Sequence, residues 1–124
     1  MSVRESGEMY LEAILVLSVK KGSVRSVDVS EYLGYSKPSV SRAMGILRKE
    51  DYVSVDKDGS IYLTETGRQI AEKIYERHTL LSKFLISIGV DEHTASADAC
   101  KMEHAISDVS FQALKRFAAE KKII

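Results

Sequence analysis

Tyr35-Ser36-Lys37-Pro38-Ser39-Val40-Ser41-Arg42 is the stretch on which the reading of this chain turns. Ser36 carries the hydroxyl of a helix cap, and Pro38 falls in the first turn, where its missing N–H costs little. A helix from here to about Glu50 turns Val40, Met44 and Leu47 inward. Just upstream, Ser26 is expected to cap a short helix, Val27 to Leu33, that stops at Gly34. Short helix, tight turn and longer helix make the helix-turn-helix outline. The small hydroxyls and cations at the start of its second member, Ser36, Lys37, Ser39, Ser41 and Arg42, are the residue types that reach phosphates and base edges in a major groove, and Pro38 sits among them.

Downstream, Tyr52-Val53-Ser54-Val55-Asp56 and Ser60-Ile61-Tyr62-Leu63 both alternate with period two, and Lys57-Asp58-Gly59 supplies the turn. A hairpin directly after a helix-turn-helix is a wing, which adds Lys57 to the expected DNA contacts. Upstream, residues 5–21 read as a helix with Met9, Tyr10, Ala13, Ile14 and Leu17 apolar, ending before Gly22. The expected fold is mainly α: a winged helix-turn-helix over residues 1–66, then a helical metal-binding and dimerisation domain over 67–124. In that second part Thr64 caps a long helix, Glu65 to about Ile88, whose stripe is Ile70, Ile74, Leu81, Leu85 and Ile88. Asp91 caps another, to about Ser107. Ser110 opens a last one, with Phe111, Leu114, Phe117 and Ala118 on one face. Tyr10 and Tyr75 are expected in the core, and His93 at the surface.

Bulk composition bounds the function. The chain has 124 residues, 18 basic and 18 acidic, with 44% hydrophobic residues, as in ordinary globular proteins. Zero net charge rules out a uniformly basic coat, but Lys20 to Lys57 holds eight basic and five acidic residues, so the basic excess lies in the first half. No apolar run reaches the ~18 residues of a membrane span, and residues 1–6 lack a signal-peptide core, which predicts a cytoplasmic protein without membrane partners. One cysteine excludes an internal disulfide and leaves Cys100 available as a ligand.

That cysteine opens Cys100-Lys101-Met102-Glu103-His104. On a helix, Cys100, Glu103 and His104 stand at i, i+3 and i+4 and leave one face. Thiolate, carboxylate and imidazole together suit Fe²⁺, Mn²⁺, Co²⁺, Ni²⁺ or Zn²⁺ rather than Ca²⁺ or Mg²⁺. The plain alternative is a buried small cysteine beside two surface polar residues. Likewise, taken alone, Met9 reads as core packing before it reads as a ligand, Glu12 as a solvated helix face sharing Met9's side, and His78 as a satisfied core or edge residue.

Five segments in order resemble the diphtheria toxin repressor family of metal-dependent transcription regulators, including its manganese-sensing branch: Glu8-Met9-Tyr10-Leu11-Glu12, the Ser36-to-Arg42 turn, Leu63-Thr64-Glu65-Thr66-Gly67-Arg68, Arg77-His78-Thr79-Leu80-Leu81, and Ala99-Cys100-Lys101-Met102-Glu103-His104. The resemblance implies that Met9 joins Cys100, Glu103 and His104 in the regulatory metal site and that His78 belongs to a second, nearby site. Glu12 matches the manganese branch, whereas Ser82 and Ser96 replace a carboxylate and a histidine of the iron branch, and no SH3-like third domain is expected within these residues. Soft donors at Met9 and Cys100 favour Fe²⁺ over Mn²⁺; Co²⁺, Ni²⁺ or Zn²⁺ would bind in vitro.

The expected function is a homodimer that binds double-stranded operator DNA when Fe²⁺ or Mn²⁺ is bound and represses metal-homeostasis genes. The rival is a winged-helix regulator triggered by a small organic ligand or by oxidation of Cys100; another reading makes the metal a folding staple. An enzyme is not expected: Cys100 and His104 lie one turn apart, but no oxyanion loop accompanies them.

Overall fold

The computed structural model describes residues 5–123; residues 1–4 of the stretch read for a signal peptide, and residue 124, lie outside them. The elements run α1 (Glu5–Lys21), α2 (Ser26–Leu33), α3 (Lys37–Lys49), β1 (Val53–Val55), β2 (Ile61–Leu63), α4 (Glu65–Ser87), α5 (Glu92–Ala105) and α6 (Asp108–Glu120). They form two compact units, residues 1–72 and 73–124, divided within α4. This is the mainly helical architecture expected, with one two-stranded antiparallel sheet among the described residues.

In the first unit, α1, α2, α3 and the hairpin enclose one core containing Leu11, Ile14, Val24, Val29, Val40, Met44, Leu47, Val53 and Ile61. Val40, Met44 and Leu47 follow the i, i+4, i+7 spacing and turn inward as expected. Ser36 caps α3 by accepting from the Ser39 N–H. Ser26 is not the cap of α2. Arg25 holds that position, and Asp28 reaches back to accept from the Arg25 N–H at 2.9 Å. The acid three residues inside the helix satisfies the orphan donor, so Ser26 is already helical.

The strands pair Val53 with Leu63 and Val55 with Ile61. Asp56 Oδ1 accepts from the N–H groups of Asp58 and Ser60, each at 2.9 Å, and closes the wing turn that presents the exposed Lys57. The Ile61 N–H also donates to the Val24 carbonyl at 2.7 Å, tying the wing to the α1–α2 loop. Thr64 caps α4 through the Gly67 N–H at 3.1 Å and donates to the Asp51 carbonyl at 2.8 Å. Gly67 has no room for a side chain, since a Cβ there would lie 2.0 Å from the Tyr52 carbonyl oxygen.

In the second unit, Ile74, Leu80, Leu81, Ala95, Ala99, Phe111 and Ala118 are buried. Asp91 caps α5. α6 opens earlier than expected: Ser107, not Ser110, is its cap, and the Ser110 N–H donates to the Ser107 hydroxyl. Tyr75 is 47% exposed rather than in the core, and Ile88 and Phe117 are exposed despite their apolar spacing. Tyr75 precedes Glu76 on the outward arc of α4, away from the Ile74–Leu81 stripe that is buried. Tyr10 is buried and His93 exposed, as expected.

Candidate metal centre and DNA-facing surface

The last two turns of α5 carry the donors. Helical periodicity puts Cys100, Glu103 and His104 on one side, and their Sγ, carboxylate oxygen and ring nitrogen lie within 4.8 Å of one another. Donors at ~2.0–2.3 Å from one tetrahedral first-row ion stand roughly 3.3–3.8 Å apart, which lies inside that limit. Glu103 is fully buried, and so is most of the His104 side chain, at 2% exposed. Cys100 is half-buried.

α4 contributes the fourth group. His78 Nδ1 lies 2.9 Å from Glu103 Oε2, while its Nε2 is 3.4 Å from the Ser96 hydroxyl. Glu103 Oε1 lies 3.3 Å from His104 Nε2 and accepts no hydrogen bond among the described residues. A carboxylate without water and with an unmet oxygen is costly unless a positive charge faces it. A divalent cation fits Cys100, Glu103 and His104: thiolate and carboxylate balance its two charges, and the His104 imidazole supplies neutral nitrogen, with His78 on the other carboxylate oxygen of Glu103.

One contributor escaped the sequence reading. Arg77 is buried, its side chain only 8% exposed, and its guanidinium donates to the carbonyls of Glu103 and Ile106 and to the Asp108 carboxylate. The signal was present: Arg77 is a cation at the i+3 position after Ile74 and four before Leu81, inside the apolar stripe of α4.

Met9 and Glu12 are both half-buried, three residues apart on α1, and the Tyr35 hydroxyl lies 3.9 Å from the Met9 sulfur. On α3, Lys37, Pro38, Ser41 and Arg42 are exposed. Ser36 is exposed as well and Ser39 half-buried; the Ser36 hydroxyl donates to the Ser39 hydroxyl at 2.9 Å and caps the helix by accepting from the Ser39 N–H. Gly45 extends the exposed face of Ser41 and Arg42 by one turn, and nothing lies within 4 Å of a Cβ placed there.

Residues 2–61 match the family model described as iron dependent repressor, N-terminal DNA binding domain. Residues 64–122 match iron dependent repressor, metal binding and dimerisation domain. The chain is 31% identical over 117 residues to the transcriptional regulator MntR of Salmonella typhimurium, covering 94% of this chain and 74% of that one. It is 35% identical over 115 residues to an uncharacterized HTH-type transcriptional regulator of Methanocaldococcus jannaschii, covering 91% of this chain and 92% of the relative. The structure of the manganese regulator SloR superposes with a TM-score of 0.82 at 29% identity over 96% of this chain. The chain spans 55% of that protein's length.

A winged helix followed by helices that gather thiolate, carboxylate and imidazole defines a metal-responsive DNA-binding regulator. With these matches, the chain belongs to the iron dependent repressor family: it is a transcriptional repressor and not an enzyme. None of its described helices is long and apolar enough to cross a membrane.

Proposed function

We propose that this protein is a cytoplasmic homodimeric repressor whose operator affinity is set by Fe²⁺ or Mn²⁺ held by Cys100, Glu103, His104 and His78, with Met9 and Glu12 of α1 completing the coordination. The observation that carries the reading is the buried Glu103 carboxylate, flanked by His78 and His104 with one oxygen unmet. The thioether of Met9 and the thiol of Cys100 favour Fe²⁺, while Glu12 adds the oxygen that Mn²⁺ prefers. The printed descriptions name both metals: the neighbour SloR is called a manganese regulator, and both matching family models are called iron dependent.

The residues divide the work. Cys100 and Glu103 supply charge, and His104 and His78 supply neutral nitrogen. Met9 and Glu12 belong to the helix on which the DNA-binding unit is built. An ion that engages both sets binds one arrangement of the chain more tightly than others, and by linkage that arrangement gains operator affinity. Such coupling is typically ~1–3 kcal/mol, or ~5–150-fold. On DNA, Lys37, Ser41 and Arg42 meet the major groove beside Pro38, Ser36 and Ser39 hold the helix start, and Lys57 on the wing meets the backbone. A two-fold dimer places two such helices one helical turn of DNA apart.

The decisive experiment is a gel-shift titration of an operator fragment with chelator, Mn²⁺ and anaerobic Fe²⁺. Tighter binding with metal is expected, and equal affinity in all three conditions sinks the proposal.

A further inference from the structure

We infer that Arg77 is a positioning residue of the metal centre, fastening the carboxy-terminal turn of α5 so that Glu103 and His104 meet His78 in register. The inference rests on the reading of that cluster as a metal site. The last carbonyls of a helix lack intrahelical partners, and a cation there is favoured by the helix dipole. Met102 O accepts from the Ile106 N–H, so its carbonyl is met within the turn. Glu103 O instead receives Arg77 Nη1 at 3.1 Å, and the same nitrogen donates to Ile106 O at 2.7 Å. Nη2 donates to Asp108 Oδ1 at 3.1 Å, in the first turn of α6. The guanidinium carbon stands 5.4 Å from the centroid of the Phe111 ring.

One side chain of α4 therefore binds the end of α5, the connecting loop and the start of α6. The residue after it in sequence is His78, and the residue whose carbonyl it holds is Glu103. The 2.9 Å contact between those two side chains is set by the same pair of helix segments that Arg77 joins. Arg77 Nε is buried with no hydrogen-bond partner among the described residues, a cost that an apolar residue on the stripe would avoid. Stability alone does not account for an arginine at this place.

Charge and positioning predict opposite signs. A guanidinium near the site repels a divalent ion, so its removal would tighten metal binding on Coulomb grounds alone. A lost clamp loosens the donors and weakens binding, by roughly 10–100-fold where an outer partner of a ligand is removed. The test uses the full chain with Arg77→Met, Arg77→Lys and Asp108→Asn, read by Mn²⁺ calorimetry, the Co²⁺ absorption spectrum and melting of the metal-free protein.

Arg77→Met is expected to weaken Mn²⁺ by roughly 10-fold or more and to alter the Co²⁺ spectrum. Arg77→Lys should recover part of the affinity, since lysine keeps the charge but not the fork that spans two carbonyls and a carboxylate. Asp108→Asn, which leaves both carbonyl contacts, should lose less than Arg77→Met. A folded Arg77→Met with wild-type or tighter Mn²⁺ binding overturns the inference, as does failure of Arg77→Lys as well as Arg77→Met to fold. A wild-type chain that takes up no metal overturns the metal reading itself, and the two failures are thus told apart.

Discussion

His78 and Glu103 meet at 2.9 Å between Nδ1 and Oε2, one side chain from α4 and the other from α5. The carboxylate is wholly buried, whereas the imidazole is 26% exposed. The pair is a buried anion with a partner that itself reaches water, which suits a site whose charge balance changes when an ion enters.

Glu103→Gln tests that balance. The amide keeps the size but not the charge, so metal binding is expected to vanish while the metal-free chain melts at the same temperature or higher, because a buried charge costs desolvation. Calorimetry with Mn²⁺ and a thermal melt of the metal-free protein check both halves. A large drop in melting temperature would show that the carboxylate is structural instead.

Cys100→Ala should cost most of the metal response and leave the fold intact, since alanine suits a helix and Cys100 is only half-buried. If the variant's operator binding still responds at the same Mn²⁺ or Fe²⁺ concentration, the thiol is not a ligand.

Two helical glycines should respond oppositely to alanine. Gly45 stands on an open face with nothing within 4 Å of an added Cβ, so Gly45→Ala is expected to stabilise by about 0.5–1 kcal/mol. Gly67 faces the Tyr52 carbonyl at 2.0 Å from such a Cβ, and Gly67→Ala should destabilise by ~1–3 kcal/mol or more. Urea melts of the two variants provide the check; equal shifts would refute the packing described for the start of α4.

Acid should weaken the fold through its helix starts. The Arg77 guanidinium holds the Asp108 carboxyl below its ordinary value of 3.8, and the Thr94 backbone N–H does the same for the cap Asp91. A carboxyl whose folded value is depressed contributes stability that is complete above its unfolded value and lost as pH falls through the folded one. The contribution of these groups is therefore constant from neutrality to about pH 4 and declines below it. Thermal melts across pH 6 to 2.5 should show a shallower acid decline for Asp108→Asn than for wild type; parallel curves would contradict the assignment.

Arg42→Ala and Lys37→Ala should both weaken operator binding, but not alike. Lys37, in the first turn of α3 next to the cap, is placed for phosphate, so its loss should lower affinity for all sequences and reduce the salt slope by ~1. Arg42, a turn further along the exposed face, is placed for base edges, and its loss should cost ~1–3 kcal/mol on the operator alone. Gel shifts on operator and scrambled duplexes at several salt concentrations would separate the two, and identical losses on both duplexes would remove Arg42 from base readout.

Much of this was legible in the residue order. The α3 cap at Ser36, the inward Val40, Met44 and Leu47, and the shared side of Cys100, Glu103 and His104 follow from caps and the 3.6-residue period, which act within a few residues of one another. What only the tertiary structure decided are facts about partners distant in sequence. The Glu103 carboxylate is fully buried against His78, 25 residues away; Arg77 turns inward to hold the end of α5; and Ile88 and Phe117 face outward despite apolar spacing. Periodicity names the face a side chain takes, but the element that covers that face is chosen by packing across the whole unit. For that reason an arginine within an apolar stripe looks like an interruption in the sequence and is a clamp in the fold.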